Sequence, residues 1–564
     1  MLNLILINKN KIINFYNRHT EIFSIVILAI LFYFIFFSGI GNYYLMDVDE
    51  TRYVAMARDM FLSKNYTTLY LNGEYFFEKP PLYFWIECLS FKLFNGHINE
   101  FSARFPVSIL GCIFSFCVYF SVKRWINQKV AFYSALILST SLFFIIMAKY
   151  AILDIVLFFF AALAVLSYFN TFFCTESHKK YYWWFLYIFS GLAVMAKGIP
   201  GFVVPFGIVF FVSLATKSFK EIFKLKNFII GVFLFLLIVL PWHIYMLINH
   251  NPLFFNEYIV KHHLERFINS NEIGRKQPFY YYLLILLWGS IPWVLSGITT
   301  LISELKKWFT EKSFLHRSKF EEFDNSQKLV FLLKIAFLWI LVFFSMSSTK
   351  LATYILPLYY PIALTMGLVW ADYTDEKKYV SPIDISVKIF GWLALIAGSL
   401  AFFAPIFLSA EIYEIVSKLW LFSSVILIVF GTTTLLLLKY KQRKQIFAVY
   451  VIFMAIVSAF GTDKIYNTDY KFGQKELVEF AQYAQKHDYT ISANAMNRKY
   501  SLIFYNDELV DYNSPDADVK LIEQDLKKTK NVVILKKENL NKIQKKLKFK
   551  TLKKGKRYVL IKGL

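Results

Sequence analysis

Cysteine is scarce in this 564-residue chain. Cys88, Cys112, Cys117 and Cys174 lie in or beside apolar segments, and none occurs after position 174. That pattern leaves no disulfide framework and no zinc knuckle. Acidic residues are also few, 39 against 62 Lys and Arg, for a formal net charge of +23. The chain has no glycine-rich phosphate loop, dinucleotide fingerprint, zinc-protease helix or nucleophile elbow, which sets aside the chemistries those motifs serve. Nor does it show the internal repeat of many transporters.

Apolar residues make up 57% of the chain and aromatic residues 20%, with a mean hydropathy of +0.47. This composition excludes an ordinary soluble protein and predicts a polytopic α-helical membrane protein. Apolar runs predict about thirteen spans, beginning near Ile22, Pro106, Val130, Leu153, Tyr182, Gly201, Asn227, Tyr280, Lys328, Tyr354, Val387, Lys418 and Ile446. The first run has no small-residue cleavage site after it and reads as a retained anchor.

Lys9, Lys11, Arg18, Lys123-Arg124, Lys179-Lys180, Lys217 to Lys226, Lys306-Lys307 and Lys439 to Lys444 fall on every second loop. The positive-inside rule therefore predicts a cytoplasmic N-terminus and outward-facing loops at 41–105 and 249–279. Much of the positive charge then meets anionic headgroups, so membrane lipids are expected as partners and nucleic acid is not. Residues 1–460 read as the membrane domain. Residues 461–564 change to the composition of a small soluble α/β domain, expected outside the cytoplasm. Within it helices are expected at 476–487 and 519–528, and strands at 489–493, 502–505, 532–535 and 557–561.

The outer loops carry the chemistry-bearing residues. Asp47-Val48-Asp49 has the two-carboxylate spacing of metal-dependent sugar-nucleotide enzymes, but nucleotide sugars are scarce outside the cytoplasm. Transfer from a lipid-linked phosphosugar needs cations for the leaving phosphate and a carboxylate to orient or deprotonate the acceptor. Asp49 and Glu50 supply carboxylates, and Arg52, Lys79, Lys197, Arg266 and Lys350 supply cations at or just outside span ends.

Each of these also has a structural reading. Asp49 and Glu50 suit the start of a helix from Thr51 to Phe61, and Arg52 suits an ion pair with Asp49 or Asp59. Lys79 suits a snorkelling contact, and Lys197 a helix C-terminus. Asp154 suits a helix cap or entry into the site through a partner such as Lys149.

Asp49-Glu50-Thr51-Arg52-Tyr53, Glu78-Lys79-Pro80-Pro81, Ala103-Arg104-Phe105-Pro106, Leu153-Asp154, Met195-Ala196-Lys197-Gly198, Pro241-Trp242, His262-His263-Leu264-Glu265-Arg266-Phe267, Pro278-Phe279-Tyr280-Tyr281-Tyr282 and Ser348-Thr349-Lys350-Leu351-Ala352-Thr353-Tyr354-Ile355-Leu356-Pro357 occur in this order. Together they resemble the aminoarabinose lipid A transferases, relatives of the protein mannosyltransferases. The motif tail Pro81-Leu82 and the residues Thr349 and Ala352 depart from that pattern.

The resemblance implies the C-type glycosyltransferase fold with a soluble domain at the end. It also implies inverting transfer of a sugar, such as 4-amino-4-deoxy-L-arabinose, from a polyprenyl phosphate carrier to lipid A or another envelope acceptor at the outer side of a bacterial inner membrane. By match, Asp49 resembles the catalytic aspartate, with Glu50 beside it. Arg52 and Lys79 resemble carrier-phosphate ligands, joined by Lys197, Arg266 and Lys350, while Tyr53, Asp154 and Tyr354 fall at substrate-binding positions. Glu78 and His263 resemble a pair that holds a divalent metal, which is the one cofactor expectation. Protein O-mannosyltransferase-like glycosylation and a polyprenyl-lipid flippase are the alternatives. A flippase requires charges inside the spans, whereas here they collect at the ends.

Overall fold

A computed structural model describes residues 19–222, 224–265, 277–310, 320–347, 349–406, 410–461, 474–494, 496–506, 508–513 and 518–564. The chain divides into two compact units. One comprises 1–39, 107–149 and 154–462, and the other comprises 40–106, 150–153 and 463–564. The first outer loop thus groups with the C-terminal region.

The first unit is helical. Among the described residues of the chain, nine helices are long and apolar enough to span a bilayer: His19–Phe37, Glu100–Trp125, Leu153–Asn170, Lys226–His250, Asn325–Met346, Ala352–Thr374, Val380–Ile406, Trp420–Lys439 and Arg443–Gly461. The count becomes ten if Tyr281–Gly289 and Val294–Lys307, bent by 116°, make one span. This falls short of the thirteen expected. The expected span at 130 is broken into Gln128–Ser139 and Leu142–Met147, where Ser139, Thr140 and Ser141 bond back to backbone carbonyls of their own helix. Glu176–Lys197 opens on a charged turn, and Pro200–Thr216 is only 17 residues long.

Without water to drive helices together in a bilayer, close packing of small residues does so. Val380–Phe403 and Ala410–Lys439 meet at Gly391, Gly398 and Gly431: a Cβ on Gly431 would lie 2.6 Å from the Gly391 carbonyl, and one on Gly398 would lie 2.9 Å from the Ile428 backbone nitrogen. The C-terminal ends of the first and last spans are tied by Lys149, whose Nζ donates to the Ser38 and Ser458 carbonyls at 2.9 and 2.8 Å, and by Ser458 Oγ donating to Ile35 O at 2.6 Å.

In the second unit the chain forms the helix Asp49–Ser63, a small hairpin of β1 (Tyr70–Leu71) and β2 (Glu74–Tyr75), and the helix Leu82–Leu93. The hairpin turns on Asn72 and Gly73, both at positive φ (54° and 81°), the pairing that a two-residue turn demands.

The C-terminal region adds the helix Gln474–Lys486, β3 (Thr490–Ala493), the short helix Tyr500–Phe504, β4 (Val510–Tyr512), the helix Val519–Lys527, β5 (Asn531–Lys536), the helix Leu540–Gln544, β6 (Phe549–Lys554) and β7 (Tyr558–Gly563). The five strands of its sheet order as β4-β3-β5-β7-β6, parallel at β4-β3 and β3-β5 and antiparallel elsewhere. Ile522, Leu526, Val533, Leu535, Leu540, Ile543, Val559 and Ile561 form a core within it.

The expected strand at 502–505 is helical. Leu502, Ile503 and Phe504 are all buried, and a short apolar run has no period that separates strand from buried helix. β4 spans three residues, and β6 is a lysine-bearing edge strand, so neither carries the apolar alternation that reveals a strand.

Candidate functional site

The Asp49 helix begins in a dense polar knot. Asp47, just before it, accepts Thr51 Oγ1 at 2.6 Å, Ser501 N at 2.7 Å and Ser501 Oγ at 2.8 Å. Asp49 and Glu50 occupy the first turn, where carboxylates complement the helix dipole. They nevertheless have opposite surroundings.

Glu50 is fully buried and meets Arg104, also fully buried, at 2.8 Å through both carboxylate oxygens. It accepts two further bonds, from Met46 N and Ala151 N at 2.8 Å. Arg104 completes its set on the Ile40, Tyr43 and Tyr44 carbonyls at 2.8–2.9 Å, with its guanidinium 3.8 Å from the Tyr43 ring centre. A carboxylate so engaged has no lone pair directed at a substrate. Glu50, expected beside Asp49 as a reacting group, is thereby placed as a structural anchor. Arg104 was visible in the sequence as a charge at the start of an apolar helix, a position that calls for a partner.

Asp49 is 40% exposed. Its Oδ1 accepts Arg52 Nη2 at 3.2 Å, and the same Nη2 donates to Tyr53 OH at 2.9 Å. Arg52 thus chooses Asp49, while Asp59 takes Arg58. The Arg52 guanidinium lies 4.7 Å from the Tyr53 ring centre and 5.9 Å from those of Phe76 and Tyr500. Its Nε is buried with no hydrogen-bond partner. Burial alone would lower its pKa, but Tyr53, Glu78, Asp49 and Tyr500 outweigh that and hold it above the ordinary arginine value. An always-charged fork suits an oxyanion. Lys79 is buried and donates from Nζ to the Glu78 carbonyl at 2.9 Å.

Beneath this layer Tyr83 OH donates to Ala151 O at 2.8 Å. Glu87, one turn on, is fully buried. Burial pushes it well above the usual carboxylate range, the Tyr83 hydroxyl offsets part of that, and the nearby Glu50 charge adds to the rise. Burial also pushes the Cys88 thiol up to about 12, which makes it inert as a nucleophile.

The first unit holds a second polar group. Asp154 pairs with Lys197 at 2.5 Å, the side chains being 10% and 12% exposed, and Lys197 Nζ lies 4.8 Å from the Tyr354 ring centre. The expected Lys149 partner instead binds the two carbonyls described above. Lys350 is buried and donates to Ser347 O at 2.7 Å. Arg266 and the side chain of His263 lie outside the described residues. Among the described residues no three His, Cys, Asp or Glu side chains cluster as metal ligands. Tyr500 and Ser501 escaped the sequence reading because their partners are remote along the chain.

Residues 21–255 match the family model for dolichyl-phosphate-mannose-protein mannosyltransferases. An uncharacterized protein of Aquifex aeolicus is 29% identical over 71% of this chain and 73% of its own length. The undecaprenyl phosphate-alpha-4-amino-4-deoxy-L-arabinose arabinosyl transferase of Wigglesworthia glossinidia brevipalpis is 30% identical over 66% of this chain. The match spans only 63% of that relative's length. The crystal structure of ArnT from Cupriavidus metallidurans bound to undecaprenyl phosphate superposes with a TM-score of 0.77 at 20% identity, covering 96% of this chain and 98% of that one. The archaeal oligosaccharyltransferase AglB from Archaeoglobus fulgidus gives 0.52 at 11% identity, covering 93% and 70%. These two likenesses show the fold, a multi-pass helical membrane domain with a small sheet-bearing region at the end. In its ordered motifs and its relatives the chain is similar to the aminoarabinose transferases, and its fold is the C-type glycosyltransferase fold.

Proposed function

We propose that the chain transfers a sugar from a polyprenyl phosphate carrier to an acceptor at the outer face of a bacterial inner membrane, inverting the anomeric centre. The observation that carries this reading is the half-exposed Asp49 hydrogen-bonded to the always-charged Arg52 guanidinium. Arg52 and Lys79 hold the donor phosphate. The acceptor oxygen attacks the anomeric carbon while the bond to the phosphate oxygen breaks, and the charge that develops there falls on the guanidinium. With a hydroxyl acceptor, Asp49 takes the proton. With a phosphate acceptor, already anionic, Asp49 acts on geometry. Lys197, Lys350 and Arg266 are further candidate cations for the carrier, and Tyr53, Asp154 and Tyr354 are candidate sugar contacts. Glu78 and His263 stay a candidate metal pair.

The arabinosyl transferase relatives support 4-amino-4-deoxy-L-arabinose as the sugar and lipid A as the acceptor. The match to the mannosyltransferase model over 21–255 favours, as a second reading, a hydroxyl acceptor on protein. In both readings the N-terminus is cytoplasmic and residues 461–564 face outward, the arrangement that the loop lysines support.

The test is mass spectrometry of lipid A and envelope glycoproteins from cells with and without the gene, complemented by wild type or Asp49→Ala. A lipid A sugar restored by wild type alone supports the first reading, and a lost protein glycan supports the second. No change in either overturns transfer.

A further inference from the structure

Residues 498–513 grip the segment that carries Asp49 and Arg52 at points on both sides of that pair. Before it, Ser501 clamps both oxygens of Asp47 at 2.7 and 2.8 Å. Gln474, from the helix Gln474–Lys486, adds to this by donating to Leu45 O and accepting Asp47 N. Tyr505 OH accepts Leu45 N at 2.9 Å and donates to Glu100 at 2.8 Å. After it, Arg58 Nη1 donates to the Ile503, Phe504 and Asn506 carbonyls at 2.8–3.0 Å. Asn72 exchanges two bonds with the Val510 backbone at 2.9 and 3.0 Å.

Tyr500 directly precedes Ser501. Its ring lies 5.9 Å from the Arg52 guanidinium, and its neighbour Lys499 is pinned by Tyr512, whose hydroxyl donates to Lys499 O at 2.6 Å.

A guanidinium donates only in its own plane, and aromatic rings near its faces stabilise the cation while leaving the edge open. Tyr53, Phe76 and Tyr500 come from three separate segments and place their ring centres 4.7, 5.9 and 5.9 Å from the guanidinium. We propose that Tyr500 is a positioning residue for donor binding: it holds the Arg52 guanidinium in the place where it meets the carrier phosphate, so that the C-terminal region completes the transfer site. The proposal rests on the assignment of Arg52 to the phosphate. Its chemistry is ring on cation, so the Tyr500 hydroxyl is dispensable and the ring is required.

The experiment measures undecaprenyl phosphate binding to the purified full-length protein, beside its thermal midpoint. It uses wild type, Tyr500→Phe, Tyr500→Leu, Tyr500→Met, Arg52→Ala and the double variant Tyr500→Leu/Arg52→Ala. Tyr500→Phe is expected to bind within about twofold of wild type and the two aliphatic variants about three- to tenfold more weakly. On the Arg52→Ala background Tyr500→Leu adds no further loss, a coupling that mere structural support would not produce. The two aliphatic replacements differ in shape, so a folding defect in one leaves the other to decide. Aliphatic variants that bind like wild type, or an equal loss on both backgrounds, overturn the inference while a weakened Arg52→Ala keeps the phosphate assignment. An Arg52→Ala protein that binds like wild type overturns both.

Discussion

Arg104 and Glu50, 54 positions apart, form a fully buried ion pair in which both carboxylate oxygens and three backbone carbonyls saturate one guanidinium. The pair joins the start of the Glu100 helix to the first turn of the Asp49 helix, and its effect is to fix where Asp49 points. Removing one partner strands a buried charge, which costs roughly 3–5 kcal/mol. Glu50→Ala and Arg104→Met are each expected to lower the thermal midpoint of the purified protein sharply, and an unchanged midpoint would show that the pair is not structural.

Asp49 behaves oppositely. It is 40% exposed with a 3.2 Å contact to Arg52, so Asp49→Asn is expected to leave the thermal midpoint near wild type. Transfer to a hydroxyl acceptor should fall about 10²- to 10⁴-fold. Full retention of that transfer would remove the general-base role.

Glu87 predicts a pH dependence of stability. Its folded pKa is raised, by burial first, so the native state keeps a proton that the unfolded state releases above about pH 4.3. Stability is therefore greatest below that value and falls as pH rises toward the folded pKa. Glu87→Gln, neutral at every pH, is expected to flatten this decline and to be more stable than wild type at neutral pH. Thermal midpoints of both proteins across pH 4–8 check it, and parallel curves would contradict it.

Asp154 and Lys197 are mostly buried and 43 positions apart. Asp154→Asn and Lys197→Met each leave an unpaired charge, and the double variant leaves none. The double variant is expected to lose less than the sum of the single losses, by roughly 1–3 kcal/mol. Strict additivity would mean that the two do not interact.

Chain-local features were legible. Asp49 and Arg52 stand three apart and meet on one helix face, so their pairing follows from spacing. The helices at 474–486 and 519–527 follow the apolar period read at 476–487 and 519–528. The roles of adjacent Asp49 and Glu50 were not legible, because what separates them is a guanidinium arriving from Arg104.

Composition and apolar run length determined by themselves that this is a multi-pass helical protein ending in a small α/β region, because a bilayer admits only backbone that satisfies its own hydrogen bonds. The ordered motifs pointed to the family. Tertiary structure decided which charges pair, that Tyr500 reaches Arg52, that 500–504 is a helix, and that the first outer loop groups with the C-terminal region. Those outcomes depend on side chains brought together from positions far apart in the chain, and neither propensity nor period carries that information.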